Sequence, residues 1–128
     1  MKIEISNGEL FDKVSILQIK KKKIKDKMKL KNIKREYDML YPLLESFDLD
    51  FVSTRIEYLV DVNTEIWEVE EILRKMESEN EFSGVFIQAA RDAYRYNDRR
   101  SLIKEEINKT TESDIIEVKS YSMPTGPK

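Results

Sequence analysis

The chain has 128 residues and a formal net charge of −2, from 23 Lys and Arg against 25 Asp and Glu, and it contains neither cysteine nor histidine. Those absences exclude disulfides, Cys nucleophiles, thiolate or imidazole metal sites and histidine acid–base work, leaving Asp and Glu as the candidates for a base or a Mg²⁺ ligand. With no secretory leader and no apolar run near the roughly 20 residues that span a bilayer, the expectation is one cytoplasmic domain over residues 1–121 with a tail over 122–128.

Glycine and proline are scarce, three of each, while Lys, Glu, Leu and Ile abound, so the chain reads as all-α. Ser6 or Asn7 can cap a first helix that carries Leu10, Val14 and Leu17, with Glu9 and Asp12 in the turn that the helix dipole favours for acids. This helix is expected to end between Asp26 and Lys29. A second follows on Leu30, Ile33, Tyr37, Leu40 and Leu44, with Pro42 disturbing its last turn, and the two should form an antiparallel hairpin.

The third helix has the clearest period, since Val52, Ile56, Leu59, Asn63, Ile66, Glu70 and Leu73 alternate spacings of four and three. Asn63 and Glu70 are polar members of that seam, and a buried polar side chain is costly unless it is hydrogen-bonded. They read either as register devices or as ligand contacts. Trp67, the only tryptophan, lies four residues after Asn63 and reads either as a core anchor or as a stacking surface for a base.

Ser83-Gly84 introduces a fourth helix with Val85, Phe86, Ala89, Ala90 and Ala93. It leads into Tyr94-Arg95-Tyr96-Asn97-Asp98-Arg99-Arg100, where Asn97 or Asp98 can cap a short fifth helix on Leu102, Ile103 and Ile107. Arginine is the wrong charge for the first turn of such a helix, so a compensating anion is expected there, either a phosphate or a carboxylate of the chain itself. Beyond Thr110 the alternating Ile115-Ile116-Glu117-Val118 reads as a short strand that could pair with Ile3 and Ile5 in a two-stranded ribbon. The fold expected is therefore an antiparallel helical bundle of about five helices with an optional ribbon made by the chain ends.

Charge is distributed unevenly. Lys20 to Arg35 holds ten basic residues and the single acid Asp26, whereas acids dominate from Glu36 to Glu81. The two stretches could meet within the chain or between subunits, and a homo-oligomer is expected. The basic run lacks interleaved aromatics and the whole chain is slightly acidic, so nucleic acid is disfavoured as a partner.

Four blocks resemble an uncharacterised family of short bacterial and phage proteins, some of which lie beside or are fused to glycosyltransferase-type domains. They are Ile5 to Leu17, Val62 to Trp67, Tyr94 to Arg100 and Glu117 to Tyr121. The resemblance implies that Glu9, Asp12, Lys13, Asn63, Trp67, Arg95, Asn97, Asp98, Arg99, Arg100, Lys119 and Tyr121 follow the recurring pattern, and it assigns them no role.

From the residues themselves the expected ligand is a phosphate-bearing small molecule: a nucleotide, cyclic nucleotide, ADP-ribose derivative or nucleotide sugar. Arginine forks suit phosphate oxygens and aromatics suit a base. The expected binding set is Glu9, Lys13, Asn63, Trp67, Tyr94, Arg95, Asn97, Asp98, Arg99, Arg100, Lys119 and Tyr121, with no catalytic residue, metal or cofactor. In a phage chain such a binder would serve as a sponge for a host nucleotide immune signal. The alternative is an oligomerisation or accessory module of nucleotide-sugar or polysaccharide metabolism, and the weakest reading is an enzyme using Glu9, Asp12 or Asp98.

Overall fold

The computed structural model describes residues 1–120 and contains four α-helices: α1 Asn7–Lys23, α2 Lys27–Leu40, α3 Leu49–Ser78 and α4 Gly84–Thr110, with a 3₁₀ turn at Tyr41–Ser46 between α2 and α3. Tyr121 and the tail over 122–128 lie outside the described residues. Each of the first three helices starts on a side-chain cap, Ser6 for α1, Asp26 for α2 and Asp48 for α3, whose oxygens accept the N–H groups of Glu9, Lys29 and Phe51. Such a cap satisfies one of the N–H groups that a helix start leaves without a partner. The disturbance expected at Pro42 is a change of helix type: α2 stops at Leu40, short of the expected Leu44, and the chain tightens into the 3₁₀ turn instead of breaking off.

Two antiparallel hairpins make up the bundle. In it α1 is the shared element, packing on α2, α3 and α4, while α3 and α4 pack along each other. The core gathers Leu10, Phe11 and Val14 of α1, Leu44 of the 3₁₀ turn, Val52, Ile56, Leu59 and Val62 of α3, and Ile107 of α4. Phe11 is fully enclosed and meets the rings of Phe47 and Phe51 edge-on at 5.2 and 5.9 Å between centroids. From Val52 to Ile66 the seam expected on α3 is this core face, whereas its last members, Glu70 and Leu73, lie beyond the core. Its length is the feature that shapes the molecule: 30 residues give α3 about 45 Å, whereas the 17 residues of α1 give about 25 Å. The end of the α3–α4 hairpin therefore runs on beyond α1.

Two expectations are corrected. Among the described residues there is no fifth helix, because α4 continues without interruption through Asn97 and Asp98. Asn97 donates its side-chain amide to the Ala93 carbonyl at 2.9 Å, a bond back along its own helix, and Asp98 accepts from Lys119 at 2.7 Å. Both are therefore engaged without opening the backbone, and packing on α1 and α3 outweighs their preference for a cap. Arg99 and Arg100 consequently stand in mid-helix, away from the dipole ends.

No strand occurs among the described residues, so the ribbon is absent as well. The chain ends do meet, but through side chains. The Asn7 N–H donates to Ser113 Oγ at 2.9 Å, Asn7 Nδ2 to Thr111 Oγ1 at 2.9 Å, and Ser6 Oγ to Glu117 Oε1 at 2.6 Å. Extended backbone with no neighbouring strand has nothing to pair with, and these polar contacts hold the segment after α4.

Candidate functional site

Gly8 brings α1 and α4 close together. A Cβ on it would stand 2.6 Å from the Lys104 carbonyl oxygen, so only glycine fits this crossing. The Gly8 N–H donates to Asn108 Oδ1 at 2.6 Å, and one turn back along α4 Lys104 donates to Glu9, the next residue of α1, at 2.6 Å. Glu9 also faces Lys13 at 3.8 Å, and Lys104 faces Glu117 at 3.8 Å. The start of α1, which carries Glu9 and Lys13 of the expected binding set, is thus filled by the chain's own oxygens: Ser113 on Asn7, Asn108 on Gly8 and Ser6 on Glu9.

One turn further along α1 lies the polar centre of the molecule. Asp12 is fully enclosed. Arg100 reaches it from α4 in a two-pronged contact, Nε to Oδ1 at 2.9 Å and Nη2 to Oδ2. From α3, Asn63 donates to Asp12 Oδ1 at 2.9 Å and to Ser15 Oγ at 3.0 Å, while Ser15 donates to the Asp12 carbonyl at 2.7 Å. The hydrogen bonds from Arg100 and Asn63 offset the desolvation of the Asp12 carboxylate, and among the described residues no buried side-chain polar atom lacks a partner. On the other side, the Asp12 carboxylate holds the Arg100 guanidinium above its ordinary value by that hydrogen bond, against the opposing effect of burial.

Arg100 and Asn63 also face outward, into a cleft of about 380 Å³ walled by Ile16 and Ile19 of α1 and by Ile66, Trp67, Glu70, Glu71 and Arg74 of α3. Its walls are mainly apolar, with a few convergent polar groups, the usual make-up of a small-molecule pocket. Arg74 lies at the rim, largely exposed, and its nearest acid is Glu70 at 3.4 Å. Glu70 and Glu71 offset Arg74 and Arg100, and Asp12 behind Arg100 leaves the surroundings of the cleft slightly negative.

Of the expected binding set, the cleft unites Asn63, Trp67 and Arg100. Glu9 and Lys13 belong to the cluster at the start of α1, Asp98 and Lys119 pair with each other at 2.7 Å, and Asn97 bonds its own helix. Arg99 is exposed and stacks over the Tyr96 ring at 5.5 Å, and Tyr94 is exposed as well. Arg95 is half-buried on α4. Tyr121 lies outside the described residues.

The expected set omitted Asp12, Ser15, Lys104 and Asn108. Arg100, Lys104 and Asn108 recur every four residues on one face of α4. That polar stripe would have been visible had the helix been taken as continuous. Glu9 and Asp12 do not converge on a common ion: Glu9 binds Lys104, Asp12 binds Arg100, and no cluster of three or more metal-type ligands occurs among the described residues.

A family model matches residues 1–127, so the chain belongs to DUF6165, a family of unknown function. No curated protein and no solved structure matches it. No helix among the described residues is long and apolar enough to cross a membrane.

Proposed function

We propose that this chain is a small-molecule-binding protein that holds a nucleotide-type ligand in the cleft between α1, α3 and α4 without altering it. The observation that carries the reading is the enclosed Asp12–Arg100–Asn63 network, opening onto a cleft that contains the chain's only tryptophan. Trp67 supplies a stacking face for a planar ring, worth about 1–3 kcal/mol. Asn63 commits its amide nitrogen to Asp12 and Ser15, so its Oδ1 can accept from an amino group on the ring. Arg100 commits Nε and Nη2 to Asp12, which leaves Nη1 for a ligand oxygen, and Arg74 can turn from Glu70 onto a phosphate.

The slightly negative surroundings favour a ligand with a single phosphate group, a cyclic nucleotide with one negative charge or a nucleoside monophosphate with up to two, over di- and triphosphates. Binding rather than turnover is supported by the engagement of both Asp12 oxygens, which leaves the enclosed carboxylate behind Arg100 poorly placed to take a proton. In a phage-encoded chain this chemistry suits sequestration of a host nucleotide signal.

The test uses Trp67 as its own reporter. AMP, cyclic AMP, ADP, ADP-ribose and a nucleotide sugar are titrated while tryptophan fluorescence and thermal unfolding are followed, and the ligand is then recovered by chromatography. The expected result is quenching with a stabilisation of about 2.7 kcal/mol at a hundredfold excess over Kd, strongest for the single-phosphate compounds, with intact ligand recovered. The absence of both quenching and stabilisation across the panel would sink the reading, and altered ligand would replace it with an enzyme.

A further inference from the structure

We infer that the stretch of groove between α3 and α4 beyond the end of α1 is the seat of a second copy of this chain, each copy laying its basic α1–α2 end against the acidic rim of the other's groove. The inference goes beyond the ligand reading and does not depend on it. On α4, the face that meets α1 through Arg100, Lys104 and Asn108 continues toward the start of the helix as Ala90 and Phe86. On α3, the seam that meets α1 continues past Asn63 as Leu73 and Glu77. The same groove is thus filled by α1 in one half and open in the other, with an apolar floor of Leu73, Phe86 and Ala90. An amphipathic helix face is the natural occupant of such a floor.

Charge selects the occupant. Between Glu65 and Glu81 the chain carries seven acids and only two bases, Arg74 and Lys75. Lys21, Lys22, Lys23, Lys25, Lys27, Lys29, Lys31, Lys34 and Arg35, the reverse composition, are exposed around the α1–α2 turn and along α2. Within the chain these opposite fields hardly meet: among the described residues one ion pair joins them, Lys23 with Glu68 at 4.0 Å. Packing one acidic hairpin directly on another would oppose like charges. A two-fold arrangement that sets the basic end of each copy on the groove of the other satisfies both fields at once, and it is self-complementary as a two-fold interface must be. The groove shares Glu70 and Arg74 with the Trp67 cleft, so the partner copy would also close the rim of that cleft.

Sedimentation velocity of the full chain without added ligand, at low and high salt, tests this. The expected result is a dimer that weakens as salt screens the charges. Phe86→Glu should give a monomer with an unchanged helical circular dichroism spectrum. The combined reversal Lys27→Glu, Lys29→Glu and Lys31→Glu touches only exposed side chains, should raise the dimer dissociation constant at least about tenfold, and should be rescued by adding Glu71→Lys and Glu77→Lys. A monomer at every concentration in low salt overturns the inference, as does a dimer indifferent to the charge reversal. Because no ligand is present, either failure leaves the binding reading standing, and an absence of ligand binding leaves the dimer standing.

Discussion

The two halves of the α3–α4 hairpin share one sequence pattern and have opposite environments. Near the chain ends the groove is filled by α1: Phe11, Leu59 and Ile107 are fully enclosed and the charges Asp12 and Arg100 bond each other. Toward the tip the same seam carries Leu73 with Phe86 opposite it, and neither is buried. Ile72, Phe82, Val85 and Ile87 nearby are all more than 40% exposed. The heptad period is therefore a statement about which face is apolar and not about whether that face is covered. Coverage depends on the length of α1, which ends in a lysine run at Lys20 to Lys23 whose side chains favour water.

The largest expected effect lies in the filled half. Asp12→Ala removes the partner of a guanidinium with 28% of its side chain exposed and of a buried amide, and should cost about 3 kcal/mol in denaturant unfolding. Glu70→Ala, on the same seam in the open half, should stay within about 0.5 kcal/mol. Equal losses would break the distinction between the halves. Gly8→Ala comes next: its Cβ would press on backbone at 2.6 Å, and a loss of about 1–3 kcal/mol is expected, with the chain ends separating first in hydrogen exchange.

The smallest effect belongs to the ion pair of Arg55 with Glu106, at the outer edge of the filled half. The hydrogen bond from Arg55 holds the Glu106 carboxyl below its ordinary value, despite an opposing contribution from burial. A depressed folded value means that the pair's stabilisation is present above the unfolded value and is lost as pH falls through the folded one. Both groups are partly exposed and screened by solvent, so the contribution is about 0.2–1 kcal/mol. Glu106→Gln should accordingly lower the denaturant midpoint at neutral pH and leave it nearly unchanged in acid below the carboxylate range. A deficit that persists in acid would show that Glu106 acts through packing.

Helix content, the caps at Ser6 and the break at Pro42 follow from local rules, and the chain's own residues state them: a hydroxyl before an amphipathic run, a proline that cannot donate, a seam repeating every seven residues. Ser83-Gly84 likewise marked where α4 starts. Asn97-Asp98 misled for the same local reason. These residues prefer caps, yet α4 runs from Gly84 to Thr110 with no glycine or proline after its first residue, a signal for continuity that outweighs one capping pair. The chain-end strands failed because alternation marks an extended segment only where a neighbouring strand receives it.

By itself the sequence determined an all-helical chain without cysteine or histidine chemistry, the core face of α3 and the segregation of its charges. Each of these is set by neighbours within a few turns of one helix or by composition alone. Only the tertiary structure decided that Asp12, Asn63 and Arg100, 88 residues apart at the extremes, form one buried network. It alone decided that Gly8 lets α1 approach α4, and that α1 stops short of the hairpin tip and leaves a cleft beside Trp67. Those features depend on how three helices cross, and a crossing is fixed by side-chain shapes and contacts between segments far apart in the chain, which no local pattern contains.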